Sequence, residues 1–221
     1  MNNDTAKITT QPPSSARDRR RQAKIRQIVS AATEVFLEDG FSAASMDKIV
    51  ERAGVSKRTL YNYYDSKEDI FFDVMQMQLG AIWVSFEPDR YESEAWGEQL
   101  RRIGIEMLRI ANSPVTLALF RTVVAESQRF PLLAQQFFDE SFGKLLDAIA
   151  NILEQAIKSG DIRLTDPKEA ADYFLDLLTG TAYQSIMVGV KPPMNDKEIR
   201  GRTERALNYF LETFKLDPDV T

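Results

Sequence analysis

The 221-residue chain contains neither cysteine nor histidine. Their absence removes disulfides, zinc sites of the Cys/His type and every mechanism that pairs a nucleophile with an imidazole. It also excludes an imidazole pH switch and a thiol redox switch. Carboxylates are plentiful, but Glu68/Asp69 and Asp139/Glu140 are neighbours in sequence and point to different sides of a helix, so neither pair can share a substrate. The expectation is therefore a protein that is not an enzyme and that holds no metal and no cofactor. No apolar run approaches the roughly 20 residues of a membrane-spanning helix, so no membrane partner is expected. The opening stretch MNNDTAKITTQPPSS is polar and has no apolar h-region, which makes the cytoplasm the expected location.

With 43% hydrophobic and 28% charged residues, the composition is that of an ordinary folded protein. The net charge of −5 is poor for a nucleic-acid binder until it is divided along the chain. Residues 1–80 carry 12 Lys+Arg against 11 Asp+Glu, which leaves 16 against 22 for the remainder. Within residues 1–26, seven basic side chains face two acidic ones, so the positive charge is concentrated at one end.

Helical periodicity accounts for almost everything beyond the first 16 residues, which include Pro12-Pro13 and read as a disordered arm. Ile25, Ile28, Val29, Ala32 and Phe36 recur at three- and four-residue steps up to Gly40, and a short helix follows from Ser45 to Gly54. Val55-Ser56 turns into a second short helix, Lys57 to Tyr63. Ser66 with Asp69 three residues on resembles a capping box and opens a helix to about Phe86, before Pro88. Further helices are predicted over Glu92–Asn112, from Ser113-Pro114 to about Ser127, from Pro131 to Ser159, from Asp166 to about Val188, and from Asn195 to about Phe214. Residues Val115 to Val124 could pass for a strand, but no partner strand exists. The fold class is all-α with about nine helices.

Helix, glycine-containing turn and second short helix with a polar start is the helix-turn-helix order, whose second helix lies in the DNA major groove. Leu60 and Tyr64 would face inward, leaving Lys57, Arg58, Thr59, Tyr61, Asn62 and Tyr63 toward DNA. Lys and Arg read guanine or phosphate, Thr touches a thymine methyl, and tyrosine hydroxyls reach phosphate oxygens. Lys67, in the first turn of the following helix, is a suitable phosphate anchor. Arg17, Arg19, Arg20, Arg21, Lys24 and Arg26 would add sequence-independent attraction.

Residues 32–71, ATEVFLEDGFSAASMDKIVERAGVSKRTLYNYYDSKEDIF, resemble the TetR family of bacterial regulators: Gly-Phe ending the first helix, Ser45 opening the second, Ala-Gly-Val-Ser at the turn, Thr-Leu-Tyr in the third and Ser-Lys-Glu at the fourth. Val50 stands in place of the usual alanine and Tyr64 in place of the commoner phenylalanine. The resemblance implies that Ser45, Lys57, Arg58, Thr59, Tyr61, Asn62, Tyr63 and Lys67 are DNA-facing. The stretch FRTVVAESQRFPLLAQQFFDES resembles the AefR-like subgroup in its C-terminal domain. The implied organisation is an N-terminal arm (1–16), a helix-turn-helix DNA-binding domain with its connecting helix (17–86) and a ligand-binding and dimerisation domain (87–221). The implied function is a homodimeric repressor, released from a palindromic operator in double-stranded DNA, and hence from the nucleoid, by a small apolar or amphipathic effector. An architectural DNA-binding protein without effector is the alternative. Two amphipathic helices at the chain's end place Phe174, Leu178, Ile186, Leu207, Phe210 and Phe214 at the expected dimer interface. Bulky side chains at Trp83, Trp96, Met107, Phe120, Phe138, Tyr183 and Met187 are the expected pocket lining.

Overall fold

The computed structural model describes residues 15–85, 95–163 and 166–214, without the side chains of residues 78–85 and 214. The arm up to Ser14, Pro88, Glu92 and the side chains of Trp83 and Phe214 lie outside what is described. The fold is all-α, with no strand among the described residues. Its elements are α1 (Ala16–Asp39), α2 (Met46–Ala53), α3 (Lys57–Tyr61), α4 (Lys67–Ser85), α5 (Trp96–Ala111), α6 (Pro114–Glu126), α7 (Pro131–Phe138), α8 (Lys144–Ser159), α9 (Pro167–Leu178), α10 (Gly180–Met187) and α11 (Asp196–Phe214).

The caps follow the sequence signals closely. Ser66 and Asp69 form a reciprocal box, Asp69 N donating to Ser66 Oγ at 3.2 Å and Ser66 N to an Asp69 carboxylate oxygen at 3.1 Å. Asn195 and Glu198 do the same for α11 at 2.8 and 3.0 Å. Two helices expected to be continuous are interrupted. The expected run 131–159 opens into a wide π turn at Asp139–Gly143, which ends on Gly143, a weak helix former. The expected run 166–188 breaks between α9 and α10 at Gly180, whose φ is +50°. Two carbonyls at that break, Leu178 O and Thr179 O, both accept from the Arg202 guanidinium, the second at 2.9 Å, and Thr179 O also accepts from Tyr183 N of α10 at 3.2 Å. Burial and nearby Arg205 lower the Arg202 pKa from its ordinary value.

The chain divides into two compact units, one of residues 1–81 with 118–140 and one of residues 82–117 with 141–221. In the first unit Phe36, Phe41 and Phe71 meet at centroid distances of 4.9–5.6 Å, surrounded by buried Ile28, Val29, Ile49 and Leu60. Each such side chain contributes about 1.5–3 kcal/mol on burial, so this cluster fixes α1, α2 and α4 around one centre. Phe130, after α6, stacks edge-on against Phe41 at 5.3 Å. In the second unit α5, α8, α9 and α11 pack around Leu100, Leu108, Ile149, Leu153 and Phe174, all fully buried. Asn112 ties this unit's loops together, donating to Leu108 O at 2.7 Å and accepting from Met194 N at 2.9 Å.

Candidate nucleic-acid interface

The turn between α2 and α3 is short because each of its residues has a defined task. Gly54 adopts the left-handed conformation at φ +61° and caps α2, a position L side chains adopt with difficulty. Ser56 then caps α3, its Oγ accepting from Thr59 N at 3.1 Å. Leu60 and Tyr64 are 0% and 1% exposed, so the expected inward pair is inward. The helix stops earlier than the sequence suggests, at Tyr61 instead of Tyr63: Tyr63 N turns to Leu60 O, tightening the last turn and placing Tyr63 just beyond it. Behind the motif, Arg52 of α2 bridges Glu34 and Glu38 of α1, Lys48 binds Asp39 at 2.6 Å, and Gln27 donates to Ala53 O at 2.7 Å. These exposed pairs add little stability, yet they set the rotation of α2 on α1. Arg52 holds the Glu38 carboxyl below its usual range.

The eight side chains implied as DNA-facing divide into two groups. Arg58, Asn62 and half-exposed Tyr61 project into solvent with half-buried Tyr63 beside them, and none of the four hydrogen-bonds or ion-pairs through its side chain with a described residue. The other four are engaged within the fold. Ser45 Oγ caps α2, Thr59 Oγ1 meets Ser56 Oγ at 2.8 Å, and Lys57 Nζ pairs with Asp47 at 2.8 Å. The Asp47 carboxylate raises the Lys57 pKa. Lys67 departs most from expectation: its ammonium donates to Phe41 O, Ser42 O and Ala44 O at 2.8, 3.0 and 3.2 Å and sits 4.7 Å from the centre of the Phe41 ring. All three of its donors hold the α1–α2 turn, so here it positions that turn.

A basic stripe flanks the motif. Arg17, Arg19, Arg20, Arg21 and Arg26 are exposed and make no ion pair with a described residue, and Arg21 lies close enough to act on Tyr64. Tyr64 itself donates to buried Asp73 of α4 at 2.7 Å. Burial and the Asp73 carboxylate push the Tyr64 phenol well above its ordinary pKa. Sequence reading missed Asp47, Asp73 and the Arg52 bridge, because partners nine to eighteen residues apart meet only once the helices cross. Ser56 as the cap of α3 was missed too, although a serine directly before a short helix is the local signal for one.

The side chains expected at a dimer interface are in the core of the second unit. Phe174, Leu178, Ile186, Leu207 and Phe210 are each 2% exposed or less, and the Phe174 and Phe210 rings meet at 5.4 Å. Amphipathicity identified the buried face of each helix, and a single chain already fills it. The outward faces of the same helices carry Tyr173, Leu177 and Tyr209 at 51%, 37% and 62% exposure. Of the expected pocket residues, Met107 and Tyr183 are buried in the second unit, with Tyr183 Oη 3.3 Å from Ala111 O, while Trp96 and Met187 are half-buried there. Phe120 stacks on Phe137 at 5.5 Å in the first unit, and Phe138 is 51% exposed.

An α2–turn–α3 unit with an unspent polar face, in a chain that also holds a second all-helical unit, defines a helix-turn-helix transcriptional regulator. Residues 28–74 match the family of bacterial regulatory proteins called tetR, and residues 98–215 match the C-terminal domain of the AefR-like transcriptional repressors. The chain belongs to the TetR family. It is 28% identical over 182 residues to the fatty acid metabolism regulator protein of Bacillus subtilis strain 168, covering 81% of this chain and 89% of that one. Among solved structures, the flavonoid-responsive regulator FrrA superposes with a TM-score of 0.74 at 31% identity, over 90% of this chain and 99% of its own. A TetR family transcriptional regulator from Pseudomonas syringae pv. tomato DC3000 gives 0.68 at 30% identity, over 87% and 97%.

Proposed function

We propose that the chain is a homodimeric repressor that binds a palindromic operator and is released by a small apolar or amphipathic effector. The observation that carries this reading is the unspent group Arg58, Tyr61, Asn62 and Tyr63 at the exposed end of α3. These four hydrogen-bonding side chains, clustered at and just beyond the end of one short helix and met by no described residue, can exchange water for phosphate and base-edge partners. A single recognition helix reads too few base pairs to be selective, so two copies about 34–36 Å apart, one DNA turn, are required. Tyr173, Leu177 and Tyr209 give the outward faces of α9 and α11 the apolar character an obligate pairing needs. The effector reading draws support from the flavonoid-responsive neighbour and from the half-buried bulky side chains Trp96 and Met187 in the second unit.

Footprinting of the purified chain on the DNA upstream of its own gene tests the proposal. A regulator protects one discrete palindrome, and Arg58→Ala relaxes the sequence preference within it. Uniform, salt-sensitive coverage with no protected palindrome would favour the architectural alternative.

A further inference from the structure

A cavity of about 530 Å³ opens in the first unit, between the first two turns of α4 and the turn joining α6 to α7. Its volume lies within the range of small-molecule sites. Phe72, Phe130 and Leu132 form apolar walls, and Leu132 is 79% exposed at the rim. Three carboxylates, Glu68, Asp69 and Asp73, face a single cation, Arg129. Asp69 is engaged by its own helix cap and Asp73 by Tyr64, whereas Glu68 is bonded to no described residue. The wall already seats one cation: the Arg129 guanidinium lies 5.1 Å from the centre of the Phe130 ring.

We infer that this groove binds an organic ammonium carrying an aryl or short alkyl body, its charge against Glu68 and its body between Phe72, Phe130 and Leu132. A divalent metal is the poorer occupant, because no group of three or more ligating side chains among the described residues could hold one, and it would leave the apolar walls wet. The groove includes none of the side chains expected to line the effector pocket, Trp96 and Met187 among them, and does not depend on that reading. Its position gives it a readout. Phe130 packs against Phe41 of the α1–α2 turn at 5.3 Å, and Asp73, on the groove wall, holds Tyr64 immediately after α3. An occupant therefore touches both supports of the recognition segment.

The test is calorimetric titration of the full chain with 3-phenylpropylammonium, 3-phenylpropan-1-ol and 3-phenylpropanoate. The ammonium is expected to bind once per chain, at least about tenfold more tightly than the alcohol or the carboxylate. Glu68→Gln should weaken the ammonium about tenfold and leave the alcohol unchanged, while Leu132→Arg, at a position exposed enough to spare the fold, should abolish binding. Amide spectra at saturation should show shifts at Asn62, Tyr63 and Tyr64 without any DNA present. Equal affinity for ammonium and alcohol, or no binding of the ammonium at millimolar concentration, would overturn the site. So would Glu68→Gln and Leu132→Arg variants that bind like the parent. Ammonium binding that leaves the three amides unmoved would overturn its coupling to the recognition segment.

Discussion

At the scale of single residues, the interface is a competition between internal and external partners. Lys57 is held by Asp47, both side chains largely exposed, so the pair costs little to open. Removing the acid by Asp47→Asn should release Lys57 to DNA, strengthening operator binding and steepening the slope of log affinity against log salt by about one unit. A salt titration by fluorescence anisotropy reads this directly, and an unchanged slope would mean that Lys57 leaves Asp47 at no cost or never meets a phosphate. The Tyr64–Asp73 pair is different because it is buried. Tyr64→Phe leaves the carboxylate short of a donor and should destabilise the fold by about 1–3 kcal/mol in urea denaturation. The phenol pKa is raised in the fold, so its contribution is fully present below the unfolded tyrosine value near ~10 and is lost as pH rises beyond it. The parent should therefore lose stability more steeply than Tyr64→Phe above about pH 10.

Helices and their breaks are where reading from sequence succeeded and failed for different reasons. Caps at Ser45, Ser66, Asp166 and Asn195 were legible because a cap is a local contract among residues three apart. The division of α9 from α10 was not, since a mid-pattern glycine is tolerated in many helices and only Arg202, some twenty residues on, makes the break stable. Gly180→Ala tests that account. The new Cβ would lie 2.8 Å from Arg202 Nη2 on a backbone at φ +50°, so the variant should lose about 1–2 kcal/mol from backbone strain and displace Arg202 from the Leu178 and Thr179 carbonyls, read by urea denaturation. Gly104→Ala should be at least as harmful, because its Cβ would meet Thr203 Cγ2 at 2.8 Å and Leu178 Cδ2 at 3.1 Å. Thr203 is fully buried and cannot swing aside, so a loss of about 1–3 kcal/mol is expected by urea denaturation. Helix faces were legible as apolar stripes, but a stripe does not say whether it meets its own chain or another. Phe174 and Phe210 meet their own chain.

For the whole molecule, the charge division becomes a statement about partners: exposed arginines along the start of α1 beside α3, and an acid-rich remainder that repels DNA elsewhere. Selectivity then depends on pairing two copies, and the burial pattern decides which substitutions can probe it. A charge at Phe210 would unfold the second unit, since that ring is fully buried, and loss of DNA binding would then say nothing about assembly. Tyr173, Leu177 and Tyr209 are the proper probes, because each is at least 37% exposed in the single chain. The triple change Tyr173→Glu, Leu177→Glu and Tyr209→Glu should leave the helical content and melting temperature of the second unit near the parent's while shifting sedimentation to the monomer. Operator affinity should fall by about 10²-fold or more as the avidity of the second head is lost, with weak salt-dependent binding to any duplex persisting. A variant that stays dimeric in sedimentation would move the interface off the outward faces of α9 and α11. A monomer that retained full operator affinity would instead show that one α3, with its flanking arginines, suffices.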